Sequence, residues 1–463
     1  MSRSPKARER GVPRRLSTRL LGTPLSLAAL LLGACRPEPP PGPDLADPVR
    51  WLQGYVAIDS STVEGEAEAA RYLAGILETE GIRHEVLVDP EGHASVWAEV
   101  GPPAGDTLLL LSHLDVVPAG EGWSKPPFSG AIDEDGVLWG RGTIDAKGLG
   151  ITHLAALAAL HRSGEPQKRR VAFFAAADEE NGGLHGAGWW IDRRPDLFAS
   201  VTGVLAEGGY NRAHDGRVAW WGLETAQKVP LWVRAAAEDP ATLVLALETV
   251  LERPLAWRLV EPVRAHLAAT QTLGHGPNLA ALEADLAAGD QPRISRRGLG
   301  TLLTDSLQVN MLAVEDGRAS ATLDLRLLPG HTPEAALAEL HAALGPSIAL
   351  ETLLAGPAAE PSPWEGPLPD ALREVLGEDA PVIPYFIAGV TDSRFFRARG
   401  VPAYGFSPFL LDGAYAGTVH AADERIPVEV LIEGLSSMEA LVSAWLAQGL
   451  DPSARQALPV PAG

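Results

Sequence analysis

The sequence predicts an α/β fold, a mixed sheet covered by helices on both faces, with a smaller ferredoxin-like α+β domain inserted into it. Three observations lead there. From residue 49 to residue 226, segments with helical spacing of apolar residues alternate with short strand-like runs. Residues 107–111 and 170–176 are apolar runs with the length and composition of strands, the second reading as buried. Between residues 227 and 356 the order of elements changes to β-α-β-β-α-β, which is the ferredoxin-like arrangement.

Taken in order, the chain opens on a leader. Residues 1–34 hold seven Lys or Arg against one Glu, followed by the apolar run 25–32. That run is too short to span a bilayer but suits the apolar stretch of a signal peptide. It ends in Leu32-Gly33-Ala34-Cys35, which resembles a bacterial lipoprotein signal. Cys35 is the single cysteine of the chain, so it has no partner for an internal disulfide and stands where a lipid would be attached. The expected location is the cell envelope, lipid-anchored, with Arg36 after the cysteine leaning towards an outer membrane. The leader's surplus of +6 leaves about −27 for the rest of a chain whose whole is −21. So acidic a body argues against nucleic acid as a partner and against membrane binding by charge, leaving the lipid as the only membrane contact.

Residues 35–48 form a Pro-rich tether that cannot bury a core. Helix is then expected over 67–80, strands over 84–88, 94–100 and 107–111, helix over 151–163, and strands over 170–176 and 201–206. These belong to the first part of the main domain, 49–226, whose second part is 357–450, before a tail at 451–463. In the inserted domain, 227–356, strands are expected over 229–235, 306–314, 320–328 and 348–354, and helices over 240–251 and 332–344.

Chemistry-bearing residues gather where these strands stop. His113 and Asp115 follow the 107–111 strand, and Asp145 follows a short apolar strand and the Gly-rich turn Gly140-Arg141-Gly142. Glu179 and Glu180 follow the 170–176 strand, and Glu207 follows 201–206. In an open α/β sheet the crevice beyond the carboxyl ends of the strands is where ligands bind, so these groups can converge. An imidazole with a carboxylate two residues on, which can take its other ring N–H, suits a metal site. Capping and turn residues after strands give the same pattern, and His113 with Asp115 alone does not decide between them.

Several longer motifs do. Ser112-His113-Leu114-Asp115-Val116-Val117-Pro118, Trp123-Ser124-Lys125-Pro126-Pro127-Phe128, Trp139-Gly140-Arg141-Gly142 with Asp145 and Lys147-Gly148, Asp178-Glu179-Glu180 and Glu207-Gly208-Gly209 match in order and spacing over residues 50–210. Together they resemble the aminoacylase, carboxypeptidase and succinyl-diaminopimelate desuccinylase family of two-zinc amidohydrolases. The resemblance implies His113 and Glu207 on one zinc, Glu180 on the other, Asp145 bridging, Glu179 as general base and Asp115 behind His113. Thr418-Val419-His420-Ala421-Ala422-Asp423-Glu424 resembles the family's distant His motif, which assigns His420 to the second zinc. Cobalt or manganese would fit the same ligands.

The inserted domain corresponds to the family's lid or dimerisation domain, which makes a homodimer through it an expectation. Asp324-Leu325-Arg326-Leu327-Leu328-Pro329-Gly330 resembles a strand end whose Arg reaches a substrate carboxylate, and Gly389-Val390-Thr391-Asp392-Ser393-Arg394 a segment beside the site. Arg326 and Arg394 are thus candidate carboxylate contacts, and Asn310 a candidate substrate contact. Where the family carries a His after the first lid strand, this chain has Ala235-Ala236-Ala237-Glu238-Asp239-Pro240. His275 could substitute, but the sequence favours reading it as an ordinary loop histidine. The implied activity is hydrolysis of an amide bond in a peptide or N-acyl amino acid. The alternative is a zinc-binding surface lipoprotein with impaired catalysis, because one oxyanion donor typically contributes about a hundred- to a thousand-fold in rate.

Overall fold

The structure is a computed structural model that describes residues 46–214, 217–253, 256–289 and 299–448. The leader, Cys35, nearly all of the tether and the tail lie outside the described residues. In the first part, α1 (Ala46–Val56) and α2 (Val63–Thr79) precede β1 (His84–Val88), β2 (Ala94–Val100), β3 (Thr107–His113) and β4 (Val137–Trp139). Next come α3 (Lys147–Ser163), β5 (Arg170–Ala176), a 3-10 turn at Glu179–Asn181, α4 (Ala187–Arg193), α5 (Pro195–Phe198) and β6 (Val201–Ala206). The strands β7 (Arg212–His214) and β8 (Arg217–Gln227) end this part. The inserted stretch holds β9 (Val229–Ala237), α6 (Pro240–Leu251), α7 (Glu261–Thr272), α8 (Leu279–Ala287) and α9 (Thr301–Leu303), then β10 (Ser306–Glu315), β11 (Arg318–Leu327), α10 (Pro333–Leu344) and β12 (Ala349–Ala355). The chain returns through α11 (Pro367–Leu376), β13 (Val382–Ile387), α12 (Ser393–Arg397), β14 (Ala403–Gly405), α13 (Gly413–Ala416), β15 (Arg425–Pro427) and α14 (Val428–Ala447).

The main sheet runs β1-β2-β5-β3-β6-β14-β8-β13, with β7 beside β8. Its centre, β5-β3-β6-β14, is parallel, and β2 and β8 join antiparallel, so the sheet is mixed. Every residue of β3 and β5 is buried, which is why their sequences read as unbroken apolar runs and not as alternation. Successive side chains still point to opposite faces. Val96, Leu108, Leu110 and Phe173 join one core with Leu73 of α2, Leu154 of α3 and Leu435 of α14. Trp97, Leu109, Leu111 and Phe174 join the other with Ile191 of α4 and Phe396 of α12. Although α14 is long and apolar enough to cross a membrane, its residues Leu431, Leu435, Met438, Leu441 and Trp445 are buried in the first of these cores.

Register brings the strand ends together. In the parallel pairing β3–β5, Thr107 faces Arg170 and His113 faces Ala176, and in β3–β6, Leu110 faces Leu205. The residues that follow β5 and β6 therefore emerge beside His113. Two sequence expectations change here. His113 is the last residue of β3 and not beyond it, because the ladder with β5 continues through that position. The short strand before Asp145, β4, is not in the main sheet but pairs with β15 in a two-stranded ribbon. Asp145 reaches the sheet edge from the turn ahead of α3.

Helix α3 starts at Lys147, four residues before the expected start. Gly148 and Gly150 weaken the local signal, yet the first is required by close packing and the second sits in a tight contact. A Cβ on Gly148 would meet the Thr143 carbonyl, and one on Gly150 would lie 3.1 Å from Ser112 Oγ.

The inserted sheet has the order β10-β11-β9-β12, antiparallel throughout, which is the ferredoxin-like arrangement expected. Leu243 and Leu247 of α6 and Ala336 and Leu340 of α10 pack with Val233 and Leu323 of this sheet. Asp239, in the stretch lacking the family's His, caps α6 by accepting from Thr242 N at 3.0 Å. The segment from α7 to α9 departs from the expected boundary of the inserted domain. Val263 and Leu267 of α7, Leu282 of α8 and Leu303 of α9 pack with Leu328 and with Ala226 and Phe386 of the main sheet.

Candidate metal centre

Each site residue is aimed by a local device. The His113 ring is buried, with 2% of its side chain exposed. Its Nδ1 lies 3.0 Å from the main-chain oxygen of Asp115, which fixes the tautomer and turns Nε2 outwards. Asp115 thus orients His113 through its carbonyl, while its carboxylate stands behind the ring as expected, with Oδ1 at ion-pair range, 3.6 Å from Nδ1. That carboxylate also accepts from the main-chain N–H groups of Glu179 at 3.1 Å and Glu180 at 2.9 Å. It is free for this because the chain after β3 folds its own carbonyl back onto the ring. The 3-10 turn so held is entered through Asp178, a non-glycine residue at φ 65°.

The turn that carries Asp145 is clasped by Glu424, a fully buried acid. Its carboxylate accepts from Arg141 Nη1 at 2.7 Å and from the main-chain N–H groups of Gly142, Ile144 and Asp145 at 3.0, 2.9 and 3.2 Å. Asp145 is left with its two oxygens facing two histidines. Oδ1 lies 3.1 Å from His113 Nε2, and Oδ2 lies 3.0 Å from His420 Nε2. His113 Nε2 is also 3.4 Å from Glu207 Oε2, and His420 Nε2 is 3.0 Å from Glu180 Oε1. His420 holds this direction from a left-handed backbone, φ 59°.

Two donor sets result, His113-Asp145-Glu207 and Asp145-Glu180-His420, each with its ligating atoms within 4.8 Å of one another. Two imidazoles and three carboxylates sharing Asp145 fit a pair of divalent cations with one bridging acid. Protons take the place of positive charge here. Burial opposes charge on His113, but Glu207, Asp115 and Asp145 outweigh it and raise its pKa well above the usual value. Hydrogen bonds to Asp145 and Glu180 raise His420 to about 10. Burial and the neighbouring acids lift Glu207 to about 7 against the pull of His113. Glu179 is pushed well above the carboxylate range, first by burial and then by Glu207.

A cavity of about 210 Å³ opens over this cluster. Asp145, Glu179, Glu180, Glu207 and His420 line its floor, and Trp232, Arg326 and Leu354 enter it from the inserted sheet. Of the expected substrate contacts, Arg326 lines the cavity with its side chain 42% exposed, 3.5 Å from Asp324. Arg394 also lines it, but is buried with its terminal nitrogens donating to the Thr391 and Gly182 carbonyls at 2.7 and 2.6 Å. Asn310 is exposed on the outer strand β10 and is not brought to the cavity. His275 packs edge-on against the Trp220 ring, 5.3 Å between centroids, and does not line the cavity. Among the residues sequence reasoning passed over are Trp232, Leu354 and the clasp Glu424. The last stood in the motif around His420, four residues after it.

Residues 109–444 match the family described as Peptidase family M20/M25/M40. Aminoacylase-1 of Mus musculus is 27% identical over 363 residues, covering 74% of this chain and 80% of that protein. Succinyl-diaminopimelate desuccinylase of Methylocella silvestris is 26% identical over 404 residues, covering 81% and 92%. In structure, the M20 family metallo-carboxypeptidase Sso-CP2 from Sulfolobus solfataricus superposes with a TM-score of 0.66 at 20% identity, over 87% of this chain and 99% of that one, which shows the shared fold. With the family matched over most of its length and this fold beneath its acidic cluster, the chain belongs to peptidase family M20/M25/M40 and is a metallohydrolase.

Proposed function

We propose that the protein hydrolyses an amide bond next to a free carboxylate, as a dipeptidase, carboxypeptidase or N-acyl-amino-acid amidohydrolase, with Glu179 as general base. The observation that carries the reading is the shared carboxylate of Asp145 between two imidazoles, in one cavity with the buried Glu179 and with Arg326. Two zinc ions, one held by His113 and Glu207 and one by Glu180 and His420 with Asp145 common to both, would supply Lewis-acid polarisation of the scissile carbonyl and a more acidic water. Glu179 takes the proton from the attacking water and delivers it to the leaving amine, a transfer that suits a carboxyl whose burial favours the protonated form. Arg326 holds the substrate carboxylate, being the cavity arginine not tied to main-chain oxygens, while Arg394 braces the wall. In keeping with the leader, the protein is lipid-anchored at the cell envelope through Cys35. Fatty-acid labelling that persists in Cys35→Ser would refute that anchor. The activity is tested by turnover of zinc-loaded protein on dipeptides and N-acyl amino acids beside their carboxyl-amidated forms. Release of amine from the free acids alone is the expected result. Equal turnover of the amidated forms, or none of any substrate, would overturn the reading.

A further inference from the structure

The acidic cluster has a second open side. Asp145, Glu207, Gly208 and Ile387 wall not only the cavity beside Arg326 but also a separate one of about 220 Å³. Leu149, Phe409, Leu411, Ala416 and Val419 form much of its remaining surface. Its polar side chains are largely turned onto the protein itself. Asn211 donates to the Ser407 carbonyl at 2.5 Å and accepts from Gly222 N at 3.1 Å, and Ser407 Oγ accepts from Phe409 N at 3.4 Å. Among the described residues lining it, the charged side chains are Asp145 and Glu207 alone.

A carbonyl at the shared wall has one substituent directed to each side. The arm carrying the carboxylate belongs with Arg326, since an anion on the other side would lose its water with no cationic side chain in the lining to replace it. We propose that this second cavity is the subsite for an apolar acyl chain or apolar N-terminal side chain. The preferred substrates are then N-acyl amino acids, or dipeptides, that carry an aliphatic group on the side of the scissile bond away from the free carboxylate. The assignment rests on the amide-hydrolase reading for its orientation, whereas the cavity's preference for apolar groups is measurable without turnover.

The test is a series of N-acyl-L-alanines with acetyl, butanoyl, hexanoyl and octanoyl groups. Their binding to zinc-loaded Glu179→Gln protein is followed by calorimetry, and kcat/KM is measured with the unaltered enzyme. Affinity should rise with chain length until the cavity is full, by up to about fourfold per methylene. Ala416→Trp in α13 and Leu411→Trp in the loop ahead of it, each narrowing the cavity, should flatten that rise. An affinity independent of chain length overturns the subsite, as does a rise that both narrowed variants retain. A rise in affinity without turnover supports the subsite and refutes the amide-hydrolase reading, whereas turnover with a flat profile does the reverse.

Discussion

Two adjacent glutamates with different duties are the sharpest residue-scale consequence of the site. Glu180 lies 3.0 Å from His420 Nε2 within a donor set, while Glu179 is in neither set. Glu179→Gln should therefore keep both metals, measured by elemental analysis, and lose about a hundred- to ten-thousand-fold in kcat. Glu180→Gln should lose one metal together with its activity. Metal loss in the first variant, or full occupancy in the second, would reverse the two roles. Glu424 makes a different prediction. Glu424→Gln places an amide N–H₂ among four donors and leaves the Arg141 guanidinium, itself 2% exposed, without its counter-charge. Unfolding in urea should show a loss of about 3–5 kcal/mol, and zinc affinity should fall because the Asp145 turn is no longer clasped. The donor residues were legible because imidazoles and acids at strand ends stand out against apolar runs. Glu424 was not, because most of its partners are main-chain N–H groups, which leave no mark in a sequence. The same reason hid the second duty of Asp115.

Among the elements, the buried strands β3, β5 and β6 were readable to within a residue or two, since burial on both faces demands continuous apolar sequence. The docking of α7 was not. Its pattern gives an apolar stripe with Val263 and Leu267 but cannot say which sheet receives that stripe. Leu267 is 1% exposed in a core shared with Ala226 and Phe386 of the main sheet. Leu267→Ala should cost about 2–5 kcal/mol, read as a lower denaturation midpoint of the whole molecule. If α7 belonged to the inserted sheet alone, the variant would loosen that sheet and leave the midpoint of the main body unchanged, as fluorescence and hydrogen exchange would reveal.

For the whole molecule, metal and pH act on the same groups. In metal-free protein the folded state raises His420 from about 6.5 to about 10. Its contribution is fully present below the lower value and is lost as pH climbs through the upper one. Glu207, raised to about 7, has the same sign, since burial penalises the charge it acquires above its ordinary range. Asp145, held below its usual range because His113 and His420 outweigh its burial, has the opposite sign and matters only in strong acid. The melting temperature of metal-free protein should thus fall relative to that of the zinc-loaded protein between pH 6 and pH 10, because zinc replaces the protons. A difference between the two forms that shrinks over this interval would contradict the assigned charges. The path of the backbone has a further effect on traffic through the cavity. Because the chain leaves the inserted sheet after α6, docks α7 to α9 on the main sheet and returns at β10, it crosses between the two layers four times. An insert attached by two strands swings as a flap, whereas one laced down at four points behaves as a braced frame. Such a brace should hold the width of the opening, so the expected outcome is turnover of short extended molecules and none of folded polypeptides, and cleavage of a folded protein would contradict it.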